Sequence, residues 1–120
     1  MSARLTERQR ADRDMLEDTL RSHANQIAAI YGFEWMFVKP LRAAGGIWKT
    51  PTYGPLGKGW PDDTLVHPVK RRIVFAEIKK ELGKVDPDQE HVHAFLRRAG
   101  FEVYVWRPSD FERIAEVFAA

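Results

Sequence analysis

Apolar positions along this chain alternate between two periods, and the switches between them mark out its elements. Leu16, Leu20, Ala24, Ile27 and Tyr31 recur at helical spacing, and Gly32 supplies a stop. Thr6 and Gln9 fit a capping box at the start of this long first helix. Its opening turns are mostly charged, which points them toward solvent or a partner. Residues 33–38 read as a strand dense in aromatic and bulky side chains, ended by Pro40. Residues 62–67 read as a short strand, and Pro68 centres a turn after it. Residues 72–80 form a further strand, apolar on both faces in its middle (Ile73, Val74, Phe75, Ala76), as a central strand requires. Asp86 as N-cap, Pro87 at the first helical position and Gln89 at the third open the next helix. Val92, Phe95 and Leu96 give that helix an apolar stripe, and Gly100 ends it. Residues 101–106 read as the last strand. Ser109 and Glu112 fit a capping box for a final helix lined by Phe111, Ile114, Ala115 and Phe118. The order is α, β, β, β, α, β, α, with a right-handed parallel crossover over residues 72–106. This predicts an α/β domain, a mixed sheet flanked by helices.

Residues 39–60 break the pattern. They hold five glycines, three prolines, Trp48 and Tyr53. Loops of this length in a compact domain are usually functional. They also carry four basic residues (Lys39, Arg42, Lys49, Lys58) and no acidic one. A one-sided basic field is the usual footprint of a phosphate-binding surface, although a solvated basic loop has the same composition. The whole chain, 120 residues at net charge +2, fits a single domain at 1–120, with residues 1–15 as a charged extension of the first helix. No stretch approaches the ~20 apolar residues of a membrane helix, and the first residues lack the apolar core of a signal peptide, so a cytoplasmic protein is expected. There is no cysteine. Disulfides and thiolate metal sites are excluded, and any metal must sit on oxygen or imidazole.

The chemistry concentrates at one strand end. Glu77 and Lys79 follow directly on the buried run Ile73–Ala76, two apart and therefore on one sheet face. Carboxylates and ammoniums are rarely buried unless paired or bound to metal. Asp62 opens the strand expected to pair with this one, which would set it beside Glu77. Two carboxylates and a lysine suit phosphodiester hydrolysis. A hard cation on oxygen ligands polarises the phosphate, and a lysine orients water or offsets charge developing on the phosphate. The backbone carbonyl of Ile78 offers a third ligand. The same spacing also fits an exposed turn aspartate followed by a Glu–Lys pair along a strand rim.

The ordered set GWPDDTLV, FAEIKK, DPDQ before a helix ending at Gly100, then FEVYVWRPSD, resembles the VRR-NUC (virus-type replication–repair nuclease) family of the PD-(D/E)xK superfamily. The similarity spans roughly residues 16–118. It matches Pro61-Asp62 to the proline–aspartate element, Glu77-Ile78-Lys79 to the (D/E)xK element, and Gln89 to the family's trailing glutamine. The family's helical glutamate matches Glu17, with Glu7 as the other candidate. The resemblance implies a restriction-endonuclease-like αβββαβ core with an added C-terminal helix. It implies a Mg²⁺- or Mn²⁺-dependent deoxyribonuclease acting on branched DNA, with resolution of four-way junctions as the sharpest version. Asp62, Glu77, Ile78 and Glu17 would hold the metal, and Asp62, Glu77, Lys79, Gln89 and Glu17 would carry catalysis. Lys39, Arg42, Lys49, Lys58 and Lys80 are candidate DNA contacts. A homodimer in a bacterial or phage-infected cell is expected, with no membrane and no nucleotide cofactor. The alternatives are a catalytically silent nucleic-acid-binding module and a flap or fork nuclease subunit of a larger repair assembly.

Three departures stand out, the first being that the helical glutamate is not uniquely placed, because Glu7 begins its own helix signal. Asp63 occupies a usually apolar position and, by strand alternation, points away from Asp62's face. Phe37 stands where many relatives carry a polar residue. Gln89 is also explained by its cap alone. His91 and His93 are read as surface residues, His23 and His67 receive no role, and Trp48, Tyr53 and Trp60 fit either base stacking or packing of the loop.

Overall fold

The computed structural model describes residues 7–39, 41–42, 44–46 and 48–120, with the side chains of 7–15, 41–42 and 48–49 outside the described part. The elements in chain order are α1 (Glu7–Ile30), β1 (Glu34–Phe37), β2 (Leu41–Arg42), β3 (Trp48–Lys49), β4 (Asp63–His67), β5 (Arg72–Ile78), α2 (Pro87–Arg98), β6 (Glu102–Trp106) and α3 (Arg113–Ala119). The predicted cap at Thr6 and Gln9 lies outside the described residues.

Both long helices end as their glycines predict. Gly32 adopts φ 89°, and the amides of Gly32 and Phe33 donate back to Ala29 and Ala28, closing the helix with a reversed turn. Gly100 and Phe101 repeat the bonding pattern on Arg97 and Leu96. At the start of α2, Asp86 accepts from the Gln89 amide at 3.0 Å and Gln89 Oε1 accepts from the Asp86 amide at 3.1 Å. The expected cap at Ser109 and Glu112 does not form. Asp110 accepts instead from the Arg107 amide at 2.9 Å, and a single 3-10 turn over Pro108–Asp110 precedes α3. The Ser109 amide is taken by Glu81 Oε2 at 2.9 Å.

The main sheet runs β1-β4-β5-β6, antiparallel at the first two junctions and parallel between β5 and β6. The central position expected for β5 holds. The long loop is not wholly irregular, since β2 and β3 form a small antiparallel hairpin within it. Leu65, Val74, Ala76, Ile78 and Trp106 occupy one sheet face and pack on Leu20, Ala24 and Ala28 of α1 and on Ile114 and Phe118 of α3. Phe75 and Val103 occupy the other face and pack on Val92 and Leu96 of α2. Leu56, from the loop before β4, joins this second cluster. Full burial of each large side chain contributes roughly 1.5–3 kcal/mol. The expected stripes are trimmed at their edges. Leu16 of α1 and Phe95 of α2 are more than half or half exposed, at 61% and 50%, because neither points down the centre of its contact face.

Arg72 fastens the sheet's far end to α3. Its guanidinium donates to both Glu102 oxygens at 2.7 and 2.8 Å, to the Val117 carbonyl at 3.0 Å and to the Ala120 carbonyl at 3.1 Å, over the ring of Phe33. These bonds hold Glu102 below the usual carboxylate range. Methionine at position 72 keeps the stem and loses the fork. It is expected to destabilise the fold by about 2 kcal/mol, read as a lower urea midpoint with an unchanged slope; an unchanged midpoint would show that the fork contributes nothing net.

Candidate active site

The site forms where β4 begins and β5 ends. The β4–β5 register sets Asp63 opposite Ala76, so the residue before it, Asp62, falls across from Glu77. The Val38 amide donates to the Asp62 carbonyl at 2.9 Å, which fixes the Asp62 backbone in line with the sheet. Side chains alternate between faces. Asp62 and Glu77 therefore share the α2 face, and Asp63 points to the α1 face.

Glu77 is wholly buried, and among the described residues neither of its oxygens has a hydrogen-bond partner. Its carboxyl is pushed far above the usual range, first by burial and then by repulsion from Asp62, with Lys79 pulling the other way. A buried polar atom left unpaired costs about 1–3 kcal/mol. Asp62 is one-third exposed and lines a cleft of about 570 Å³ together with Val38, Thr52, Lys58, Trp60 and Gln89. Lys79 extends β5 by one ladder bond, its amide donating to the Trp106 carbonyl at 2.9 Å, and follows Glu77 on the same face.

The segment over the cleft is clamped to α2. Gly59 has φ 103°, and a Cβ there would lie 2.4 Å from the Asp88 carbonyl oxygen, so any side chain would push the strap off the helix. Lys58 Nζ lies 3.2 Å from Asp88 Oδ2, and Trp60 meets Phe75 edge-on at 5.5 Å. Trp60 thus packs on the core while forming the cleft wall.

On the opposite face, Arg21 of α1 donates to both Asp63 oxygens at 3.0 and 3.2 Å and reaches to 3.9 Å from Asp62. Burial still lifts Asp63 to about 6 against the pull of Arg21. Phe37 lies beneath this pair, with Arg21 and Lys39 over its ring at 5.0 and 5.6 Å and Trp35 stacked at its side.

The structure thus gathers Asp62, Glu77 and Lys79, with Gln89 on the cleft wall. Lys58 lines the cleft, Lys39 lies instead on the α1 face with Arg21 and Phe37, and Lys80 sits in the turn that Gly83 closes by donating to its carbonyl. The side chains of Arg42 and Lys49 lie outside the described residues. Among the described residues, no three His, Asp or Glu side chains, Glu17 included, are arranged to hold a metal ion. Arg21, one turn further along α1, reaches to 3.9 Å from Asp62. Sequence reasoning missed it, and it missed His93. Read as a surface residue, His93 is 2% exposed, with Nε2 3.8 Å from Glu77 Oε1. Burial above all, then the charges of Arg97 and Lys79, lowers its pKa. The signal was its spacing, four residues from Gln89 and three from Leu96, which puts it on the sheet-facing side of α2.

A solved structure described as a VRR_NUC domain shares this fold. It is 23% identical, the match covers 86% of this chain and 94% of that one, and the TM-score is 0.59. No protein-family model matches the sequence, and neither does any curated protein. The fold is therefore that of a VRR_NUC domain, a restriction-endonuclease-like αβββαβ core with an added C-terminal helix.

Proposed function

We propose that this chain is a divalent-metal-dependent DNA endonuclease of the PD-(D/E)xK kind. The observation that carries the reading is Glu77, a fully buried carboxylate without a hydrogen-bond partner among the described residues, set across from Asp62 at the mouth of a cleft. The Glu77 oxygens are left without a hydrogen-bond partner beside a second carboxylate, and a hard cation on oxygen ligands is what such a pair fits. Asp62, Glu77 and the Ile78 carbonyl would hold Mg²⁺ or Mn²⁺. When bound, the ion supplies Lewis-acid stabilisation and eases ionisation of water. Lys79, on the same face, holds the attacking water toward phosphorus and offsets charge growing on the phosphate oxygens. Gln89, its carbonyl engaged in the helix cap, presents its NH₂ to the cleft. Lys58, on the cleft wall, meets a flanking phosphate.

The VRR_NUC fold supports the nuclease reading, and branched DNA is the substrate proposed for it. Two-fold pairing of two chains would offer two sites to a four-way junction. Labelled linear, flapped, forked and four-way DNA, incubated with Mg²⁺, Mn²⁺ or EDTA, tests both levels. Cutting only with metal and only on branched substrates is expected, as symmetric paired nicks on the junction. Firm binding without cutting under any metal would instead make the chain a silent binding module.

A further inference from the structure

Helix α2 sends one polar side chain into the interior, and the chemistry above does not use it. His93 is buried on the face of α2 that meets β5 at Glu77. Its Nε2 faces Glu77 Oε1 at 3.8 Å, beyond hydrogen-bond reach. Among the described residues, Nε2 and both Glu77 oxygens are without partners. A leucine would fill this position without stranding a polar atom. An imidazole kept there, aimed at a buried carboxylate, has a job that packing does not require.

Resting on the nuclease reading, we propose that His93 is a positioning residue for Glu77: its Nε2–H donates to Oε1 and turns Oε2 toward the cation shared with Asp62. A shift of under ~1 Å brings the pair to an ordinary N–H···O distance. Metal-binding carboxylates are commonly held in this way by a second donor, which fixes their direction. A direct ligand role fits less well. His93 makes no three-residue cage with Asp62 and Glu77, and hard cations favour oxygen over imidazole.

The experiment compares wild type, His93→Leu and His93→Gln in intact protein without DNA. Calorimetry reads binding of Mn²⁺ alone, thermal unfolding in EDTA reads the fold, and electron spin echo on the Mn²⁺-loaded wild type reads nitrogen coupling. The leucine variant is expected to bind Mn²⁺ about 10–100-fold more weakly, with an EDTA midpoint equal to or above wild type. Glutamine, whose amide reaches the Nε2 position, is expected to restore most of the affinity, and no nitrogen coupling is expected. If the leucine variant does not fold, His93→Asn, whose shorter amide falls short of Glu77, replaces it in the comparison. Unchanged Mn²⁺ affinity in the leucine or asparagine variant overturns the assignment, and nitrogen coupling overturns it in favour of direct ligation. Wild type that binds no Mn²⁺ overturns the nuclease reading, and this assignment with it.

Discussion

Alanine at Lys79 is expected to slow single-turnover cleavage by about 10²–10³-fold, the loss typical of removing one charge-stabilising donor from a transition state. Mn²⁺ affinity and thermal midpoint should stay near wild type. The reason is positional. Lys79 lies beyond the last residue of β5, half-buried, and its backbone bond to Trp106 does not depend on the side chain. Loss of the ammonium therefore leaves the strand in place and removes only the charge beside Glu77. Rates measured under saturating Mg²⁺ separate chemistry from metal binding. A rate within threefold of wild type would remove Lys79 from the mechanism.

The second large effect runs opposite in stability and activity. Glu77→Gln is expected to abolish cleavage and weaken Mn²⁺ binding, yet to stabilise the protein in EDTA at neutral pH by roughly 1–3 kcal/mol, because a neutral amide can be buried without the proton uptake that the carboxyl needs. The pH dependence follows from the same cause. Glu77's carboxyl is raised by burial and by Asp62, so above the ordinary carboxylate range the folded state holds a proton that the unfolded state has released. Stability in EDTA then falls as pH rises above about 4.5, by at most ~1.4 kcal/mol per pH unit for this one group. The glutamine variant should lose that slope, and so should wild type saturated with Mn²⁺. Chemical denaturation at a series of pH values, with and without the ion, reads all three. A wild-type curve that is flat in EDTA would mean that Glu77 is not desolvated as the structure shows.

What could be read from sequence was local. The Asp86–Pro87–Gln89 start of α2 and the reversed turn at Gly32 depend on residues a few positions apart, and both formed as their chemistry dictates. The central place of β5 followed from a run apolar on both faces. What escaped was contact between distant residues. The direction of Asp63, away from Asp62, followed from strand alternation, but its partner Arg21 lies 42 positions earlier on another element and left no local signal. His93 looked polar and therefore exposed, because a helix packed on a sheet reveals its inner face only once the sheet's position is known. Asp110 outcompeted Ser109 as a cap because Glu81, from the loop after β5, had taken the Ser109 amide. The β2–β3 hairpin is too short, at two residues a side, to leave a period in the sequence.

The adjacent aspartates at the start of β4 are chemically identical, and only the parity of the sheet tells them apart. One opens on the cleft and the other is locked to α1. A one-residue slip of β4 would exchange their places and leave a carboxylate at each, so the acidic groups themselves give no protection against that error. Leu65 gives it instead: wholly buried in the correct register, it would be turned out of the core by the same slip. An apolar residue with no chemistry of its own thus acts as the reading frame of the candidate site.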